Sequence, residues 1–358
     1  MNVSRLDAAR RRKAWPARLA LLGTGTVGAA FAARYQRLRA DGIGLPEPAW
    51  ISNSRVRLAV DGPLDAIVDE ARSAPARSGG VPPWAEAESL RAGDVIVDAT
   101  ASGLVADWHR EWLARGIHVV TANKLGAGAE LARAQAIVAA QAEGGRYGDS
   151  ATVGAGLPLL ASIRALRAGG DRIHSVEGVL SGSLAWMFWR HDGSRAFSEL
   201  VREARAAGYT EPDPRQDLSG ADVRRKLLIL ARAAGLPLEE ADVSVDALLP
   251  AELRDASPAD VDARLSALDE PLRERLAAAG RDGARLCFVG RFDADGASVG
   301  LRALPAGHPL LGGAGTDNRV AISSDRYRER PLVIQGPGAG AEVTAAALLD
   351  DVLRIVPG

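Results

Sequence analysis

Residues 208–230, GYTEPDPRQDLSGADVRRKLLIL, gather four carboxylates (Glu211, Asp213, Asp217, Asp222) and one lysine, Lys226. The chain carries 44 basic residues, yet only Lys13, Lys124 and Lys226 are lysines. Arginine keeps its charge, whereas a desolvated lysine can release its proton. Lys124 and Lys226 are therefore candidates for proton transfer, unless they are chance survivors in an arginine-rich composition. Asp222 and Lys226 are four apart, on one face of a helix that Ser219 is expected to cap, with Asp222 at its third position. On a surface that pair would be worth only about 0.3 kcal/mol. The apolar run Leu227–Leu230 instead draws this end of the helix inward. Pro212 and Pro214 stiffen the loop that presents Glu211, Asp213 and Asp217. Such a pocket suits a substrate with an ammonium group, and a tunable lysine suits proton exchange with an alcohol or carbonyl.

A second set of residues points to the co-reactant. In LALLGTGTVGAAFAARY a short buried strand, Leu19–Leu22, runs into Gly23-Thr24-Gly25-Thr26-Val27-Gly28 and an alanine-rich helix. That is the dinucleotide fingerprint in its required context. Gly23 allows the tight turn, Gly25 lets the backbone approach a pyrophosphate, and Gly28 lets helix and strand close up. The helix N-terminus favours the anion. The second strand, AWISNSR, ends near Ser52 without the acidic residue that holds a ribose 2′-hydroxyl. Arg55 offers a guanidinium for a 2′-phosphate, which favours NADP(H) over NAD(H); it also reads as an ordinary surface arginine. DVIVDAT (94–100) and IHVVTANK (117–124) are apolar strands for a sheet covered on both faces, and Thr100 and Lys124 stand at their carboxyl ends. Hydride chemistry belongs to the nicotinamide, so these residues together read as a dehydrogenase for an amino-bearing alcohol or aldehyde.

The fold class is α/β, a Rossmann-like doubly wound nucleotide-binding domain over 17–150 plus an α+β catalytic and dimerisation domain over 151–335. The glycine turn and alanine-rich helix of 336–358 are expected to return to the first domain. Residues 1–16, with the basic run RRRK, read as a disordered leader. Trp108 and Trp112, and the bunched Trp186, Met187, Phe188 and Trp189, read as core or interface. Helices are expected through to about residue 280, one of them capped at Ser257-Pro258-Ala259-Asp260. A hairpin turns at Asp295-Gly296, followed by strands in RVAISS and PLVIQ.

The net charge of −1 excludes an electrostatic case for nucleic acid or a membrane surface. One cysteine, Cys287, allows no internal disulfide and favours a reducing cytoplasm. It lies in an apolar strand and reads as a small hydrophobe. That counts against an aldehyde-oxidising dehydrogenase, whose chemistry needs a thiol nucleophile. The five histidines lack zinc-ligand spacing. A nucleotide sensor without catalysis would need neither crevice lysine nor the acidic pocket.

The segments VVTANK, ATVGAGLPLL, GVLSGSLAWMF, GYTEPDPRQDLSGADVRRKLLILAR and PLVIQGPGAGAEVTAA resemble homoserine dehydrogenases, and the likeness runs from Leu19 to Val356. The resemblance implies reversible NAD(P)-dependent reduction of L-aspartate 4-semialdehyde to L-homoserine, on the route to threonine and methionine, by a cytoplasmic homodimer. It implies that the fingerprint residues, Thr100, Lys124, Gly338 and Gly340 contact the cofactor. Glu211 and Asp222 would bind the amino-acid end of the substrate, with Asp217 in support. Lys226 would donate the proton in reduction and accept it in oxidation, assisted by Lys124. The family's pair of aspartates is replaced here by Gln216-Asp217. Its glutamate ligand for a sodium ion is replaced by Ser150, which leaves the carbonyls of Val153, Ala155 and Leu157 for the ion. No room is left for an aspartate kinase or a regulatory ACT domain, so threonine feedback through one is not expected.

Overall fold

Leu19–Leu22, Val95–Val97, Val119 and Val120 have no exposed surface, as strands covered on both faces require. They build the central strands of the first of two six-stranded sheets in the computed structural model, which describes residues 16–75, 89–313 and 315–356. The expected leader, residues 1–16, lies outside the described residues apart from Pro16. The strands are β1 (Arg18–Leu22), β2 (Glu47–Ser52), β3 (Arg57–Ala59), β4 (Val95–Asp98), β5 (His118–Thr121) and β6 (Tyr147–Gly148), in the order β3-β2-β1-β4-β5-β6. All neighbours are parallel except β2 and β3. The order reverses between β1 and β4, and ligands of open α/β sheets bind at the carboxyl ends of strands at such a point.

Helices cover both faces. On one face lie α1 (Thr26–Ala40) and α2 (Leu64–Ser73); on the other lies α3 (Gly103–Ala114), with Trp112 and Leu113 fully buried and Trp108 packed beside them. After β5 come α4 (Leu125–Gly128) and α5 (Leu131–Ala140). The helix that ends the chain packs beside α1, its Leu348, Leu349 and Val352 sharing a core with Phe31 and Tyr35.

The second sheet has the order β12-β11-β7-β9-β10-β8. Its strands are β7 (Ile173–Val179), β8 (Val243–Val245), β9 (Arg285–Asp293), β10 (Gly296–Leu304), β11 (Asp317–Ser324) and β12 (Leu332–Pro337). All pairs are antiparallel except β8 with β10. Its helices include α6 (Leu159–Ala168), α7 (Gly182–Arg190), α8 (Phe197–Ala206), α9 (Arg215–Leu218), α10 (Ala221–Ala233) and α11 (Asp269–Arg281), with single turns at Ala251–Arg254 and Val261–Arg264, and the last helix is α12 (Ala341–Ile355). Trp186, Met187 and Phe188 join the core of this half, whereas Trp189 is 48% exposed. No helix among the described residues is long and apolar enough to cross a membrane.

Four local expectations need correction. Val243–Val245 is an edge strand inside a stretch expected to be helical, because three residues are too few to show a period of two. Around Ser257 the chain forms a turn, Asp260 N–H to Ser257 carbonyl at 2.9 Å, and the helix opens only at Val261. The β9–β10 hairpin turns at Ala294-Asp295, with Gly296 already paired to Asp293. Finally, the residue at the cap of α10 is Gly220, at φ 72°, while the Ser219 hydroxyl one residue earlier accepts from the Ala221 amide at 3.2 Å. An L side chain at Gly220 would be strained, and its Cβ would lie 3.0 Å from Phe288. Ser219 belongs to the end of α9, which puts Asp222 second in α10 rather than third.

Candidate active site

The carboxyl ends of β1, β4 and β5, the start of α12 and the first turns of α10 enclose a cleft of about 530 Å³. Thr26, Val27, Thr100, Lys124, Lys226, Gly338 and Gly340 line it, together with Asn123 and Ala155.

The fingerprint glycines divide their work as their spacing implies. Gly23 has φ 93°, and a Cβ there would meet the Ala99 carbonyl at 2.8 Å. A Cβ at Gly28 would stand 2.0 Å from the Gly23 carbonyl, so helix and turn close only on glycine. Around Gly25 nothing lies within 4 Å, leaving its backbone bare to the cleft. No side chain caps α1, so its first amides and the positive end of its dipole are free for an anion. Thr24 faces inward instead, its hydroxyl accepting from Asn53 at 2.8 Å. Arg55 does not line the cleft. Its guanidinium donates to the Arg72 and Ala74 carbonyls at 3.0 and 3.2 Å, at the end of α2.

Lys226 is 8% exposed, buried by the apolar face of α10. Its Nζ donates to the Leu180 carbonyl at 2.7 Å and lies 2.9 Å from Asp222 Oδ2. Lys124, at the start of α4, reaches the other oxygen of that carboxylate at 3.4 Å. One aspartate is thus shared by both cleft lysines, one from each half of the molecule. Burial would raise the Asp222 carboxyl, but the two ammonium groups override it and hold it well below the usual carboxylate range. The side chain keeps 44% of its surface open, so water still reaches the pair.

The acidic loop sorts into two kinds of residue. Asp213 is bound by Arg215 through both oxygens, a structural pair at the foot of α9. Asp217 accepts from the Ser183 hydroxyl at 2.7 Å and the Glu211 amide at 2.9 Å, and so fixes the loop. Glu211 is exposed.

A buried network behind the cleft escaped the reading of the sequence. Asp98, with no exposed surface, accepts from Asn123 Nδ2 at 3.0 Å and lies 2.9 Å from His109 Nε2; His109 Nδ1 lies 3.1 Å from the Tyr147 hydroxyl. Asn123 also donates to the Ser102 carbonyl at 2.8 Å and accepts from the Leu125 amide. It therefore locks the turn that presents Lys124 and places Thr100 beside it. Asn123 sits inside VVTANK, so the motif held the clue. Asn318 is a second omission. It is fully buried on β11, one residue before Arg319, which pairs with Val179, and neither polar atom of its side chain has a partner among the described residues. Gly338 is glycine because a Cβ there would lie 1.9 Å from Asn318 Oδ1.

The site inferred for sodium is less complete. The amide and hydroxyl of Ser150 both donate to Asp351, and Asp149 holds Arg164 through both oxygens. The Leu157 carbonyl already accepts from the Leu159 amide at 2.8 Å. That leaves the neutral carbonyls of Val153 and Ala155. Among the described residues no group of three or more His, Cys, Asp or Glu is placed to hold a metal. Cys287 lies on β9, where burial pushes its thiol up, and it does not line the cleft.

Family models for homoserine dehydrogenase match residues 158–353, and for the homoserine dehydrogenase NAD binding domain residues 23–148. The chain is 44% identical over 265 residues to the bifunctional aspartokinase/homoserine dehydrogenase 2 of Zea mays, covering 73% of this chain but 29% of that one. It thus spans under a third of that relative. It is 37% identical over 269 residues to homoserine dehydrogenase of Saccharomyces cerevisiae, covering 73% of this chain and 75% of the yeast enzyme. Its fold superposes with a TM-score of 0.84 on a Candida auris protein of unknown function, 32% identical over 95% of this chain and 98% of that one. The doubly wound first half, the two-lysine cleft and these matches over both halves agree: this chain belongs to the homoserine dehydrogenase family.

Proposed function

We propose that the protein catalyses the reversible, nicotinamide-nucleotide-dependent reduction of L-aspartate 4-semialdehyde to L-homoserine, in threonine and methionine biosynthesis. The observation that carries this reading is the single Asp222 carboxylate shared by Lys124 and Lys226 at the mouth of the nucleotide cleft. Residues 17–150 with 336–358 serve the nucleotide, and 151–335 serve substrate and dimer contacts.

Gly23–Gly28 at the start of α1 would hold the nucleotide's pyrophosphate, and Thr100, Gly338 and Gly340, which line the cleft, would contact the rest of it. The bound nucleotide supplies the hydride. Lys226, fixed between the Leu180 carbonyl and Asp222, gives its proton to the aldehyde oxygen in reduction and takes it from the hydroxyl in oxidation. Lys124 is more exposed and stands nearer the nucleotide, where its charge steadies the developing alkoxide. Glu211, exposed at the rim, receives the substrate ammonium, and Asp217 holds the loop in place. Asp222 completes the acidic pocket while pairing with both lysines.

NADP(H) is the favoured nucleotide, because no acid stands at the end of β2 and Arg55 is close by in sequence. Its use requires Arg55 to leave the carbonyls at the end of α2. The chain pairs with a second copy, and Trp189, 48% exposed at the end of α7, offers apolar surface for that contact. The compartment is reducing, as the single cysteine implies.

Initial rates with homoserine and with aspartate semialdehyde, each with NADP(H) and NAD(H), test the reading. Turnover by the wild type and a loss of about 10²–10⁴-fold in Lys226→Arg are expected. Nucleotide binding without turnover of either substrate would overturn the activity, and a fully active Lys226→Arg would overturn the mechanism.

A further inference from the structure

A second cavity, about 330 Å³, lies behind the two segments that carry the cleft lysines. Ala127 of α4 and Ile229, Arg232 and Ala233 of α10 form one wall, while α5, Tyr147 and α6 form the others. Along α10, residues 225 and 226 face the nucleotide cleft and 229, 232 and 233 face this cavity. The space therefore sits at the seam between the two sheets and their helices, separate from the cleft.

Its chemistry is lopsided. One side is apolar, from Ala134, Ile137, Val138 and Ile229, with Val138 67% exposed at the rim. The other side holds three guanidinium groups, from Arg164, Arg167 and Arg232, against one carboxylate, Asp149. Asp149 is taken by Arg164 through both oxygens at 2.6 and 2.7 Å. Arg232 donates to the Ala127 and Leu238 carbonyls, and its nearest carboxylate, Glu239, is 3.9 Å away and outside the lining. Arg167 donates once, to the Ala233 carbonyl at 2.9 Å, from a group with five N–H donors. Burial pushes the Arg232 guanidinium below its ordinary value, although Glu239 and Glu240 oppose the shift. The lining thus carries three guanidinium groups to one carboxylate, with Arg167 exposed at the rim and Arg232 buried beside the apolar wall.

We propose that this cavity is a second ligand site for a small organic carboxylate with a branched apolar body, the carboxylate held by Arg167 and Arg232 and the body packed on Ile137, Val138 and Ile229. A planar carboxylate matches the guanidinium fork through paired hydrogen bonds, and the apolar wall takes the body out of water. The Arg164–Asp149 pair closes the floor and carries no net charge. The proposal does not depend on the reaction assigned to the cleft.

The test is calorimetric titration of the full chain with sodium 4-methylpentanoate, with 4-methylpentanamide as the uncharged counterpart. The carboxylate should bind and the amide should bind at least about tenfold more weakly, the loss expected when a charged hydrogen bond is removed. Arg167→Gln should weaken the carboxylate by a similar factor. Val138→Trp, at an exposed rim position that cannot threaten the fold, should block the mouth and abolish binding. Binding should persist when the enzyme is saturated with NADP⁺. Equal affinity for acid and amide, affinity unchanged by both substitutions, displacement by NADP⁺, or no binding up to the solubility of the probe would each overturn the proposal.

Discussion

Replacing Asp222 by asparagine keeps the shape of the site and removes the one negative charge that the two cleft lysines share. The Lys226 contact is 2.9 Å and the Lys124 contact 3.4 Å. At 2.9 Å two unit charges interact by roughly 1.4 kcal/mol in bulk water and about 6 kcal/mol at an effective dielectric of 20. The carboxylate is 44% open to solvent, which places the pair toward the lower end, about 1.5–3 kcal/mol. That energy supports only the protonated form of the base. Homoserine oxidation needs the base unprotonated, so the acid limb of its pH–rate profile should move to lower pH in Asp222→Asn. The assay is kcat and KM for homoserine oxidation at saturating nucleotide across the pH range, with Asp222→Glu as the charge-retaining control. A uniform loss of rate with the limb unmoved would mean that Asp222 acts on the substrate alone, and the electrostatic argument would be refuted. Stability gives an independent reading. The folded-state carboxyl lies below its ordinary value, so its contribution is full above about pH 4 and is lost as pH falls further. Thermal unfolding of Asp222→Asn should therefore depend less on pH below about 4 than that of the wild type.

Three shorter tests address the other parts of the site. Gly28→Ala should fail to fold or lose several degrees in Tm, because its Cβ would overlap the Gly23 carbonyl at 2.0 Å; Gly25→Ala, with nothing within 4 Å, should keep its Tm and bind nucleotide at least about tenfold more weakly by fluorescence titration. Glu211→Gln should raise the KM for homoserine with little change in kcat or Tm, since the side chain is exposed and only its amide holds the loop. His109→Phe should lower Tm and also raise the KM for nucleotide, because Asp98 would lose a buried partner while Asn123 still pulls on it; a normal nucleotide KM would mean that the network does not steer the Lys124 turn.

What the sequence revealed and what it hid divide along separation in the chain. The Gly23–Gly28 turn, the Asp222–Lys226 pair and the buried strands declare themselves within a few residues, where periodicity and local sterics decide. Lys124 could be found by its rarity and its place at a strand end, but not its partner: Asp222 lies on another helix, and only the packing of α4 on α10 joins them. That packing needs Gly128, where a Cβ would stand 2.6 Å from Arg225 Cγ, a constraint invisible without the neighbour. His109 was set aside because it lacked the spacing of a metal ligand. Its use is to join Asp98 to Tyr147, and the three meet only because α3 returns over β4 and β6. Arg55 is apt by chemistry and by place in the sequence, but its engagement with the carbonyls at the end of α2 is visible only in the fold.

Asn318 carries that lesson furthest. Nothing around it in NRVAISS marks it as more than an edge of a strand, yet it is fully buried with its amide unpaired beside the Gly338 turn that lines the cleft. An unpaired buried amide costs on the order of 1–3 kcal/mol, and an apolar residue of similar shape would remove that cost. Its neighbour Arg319 pairs with Val179, which precedes the Leu180 whose carbonyl holds Lys226, and that makes a functional reason for keeping it the economical one. Asn318→Leu should then raise Tm while lowering kcat/KM for homoserine, a pairing that a purely structural asparagine would not give. If the leucine variant is both more stable and fully active, the amide has no part in the site.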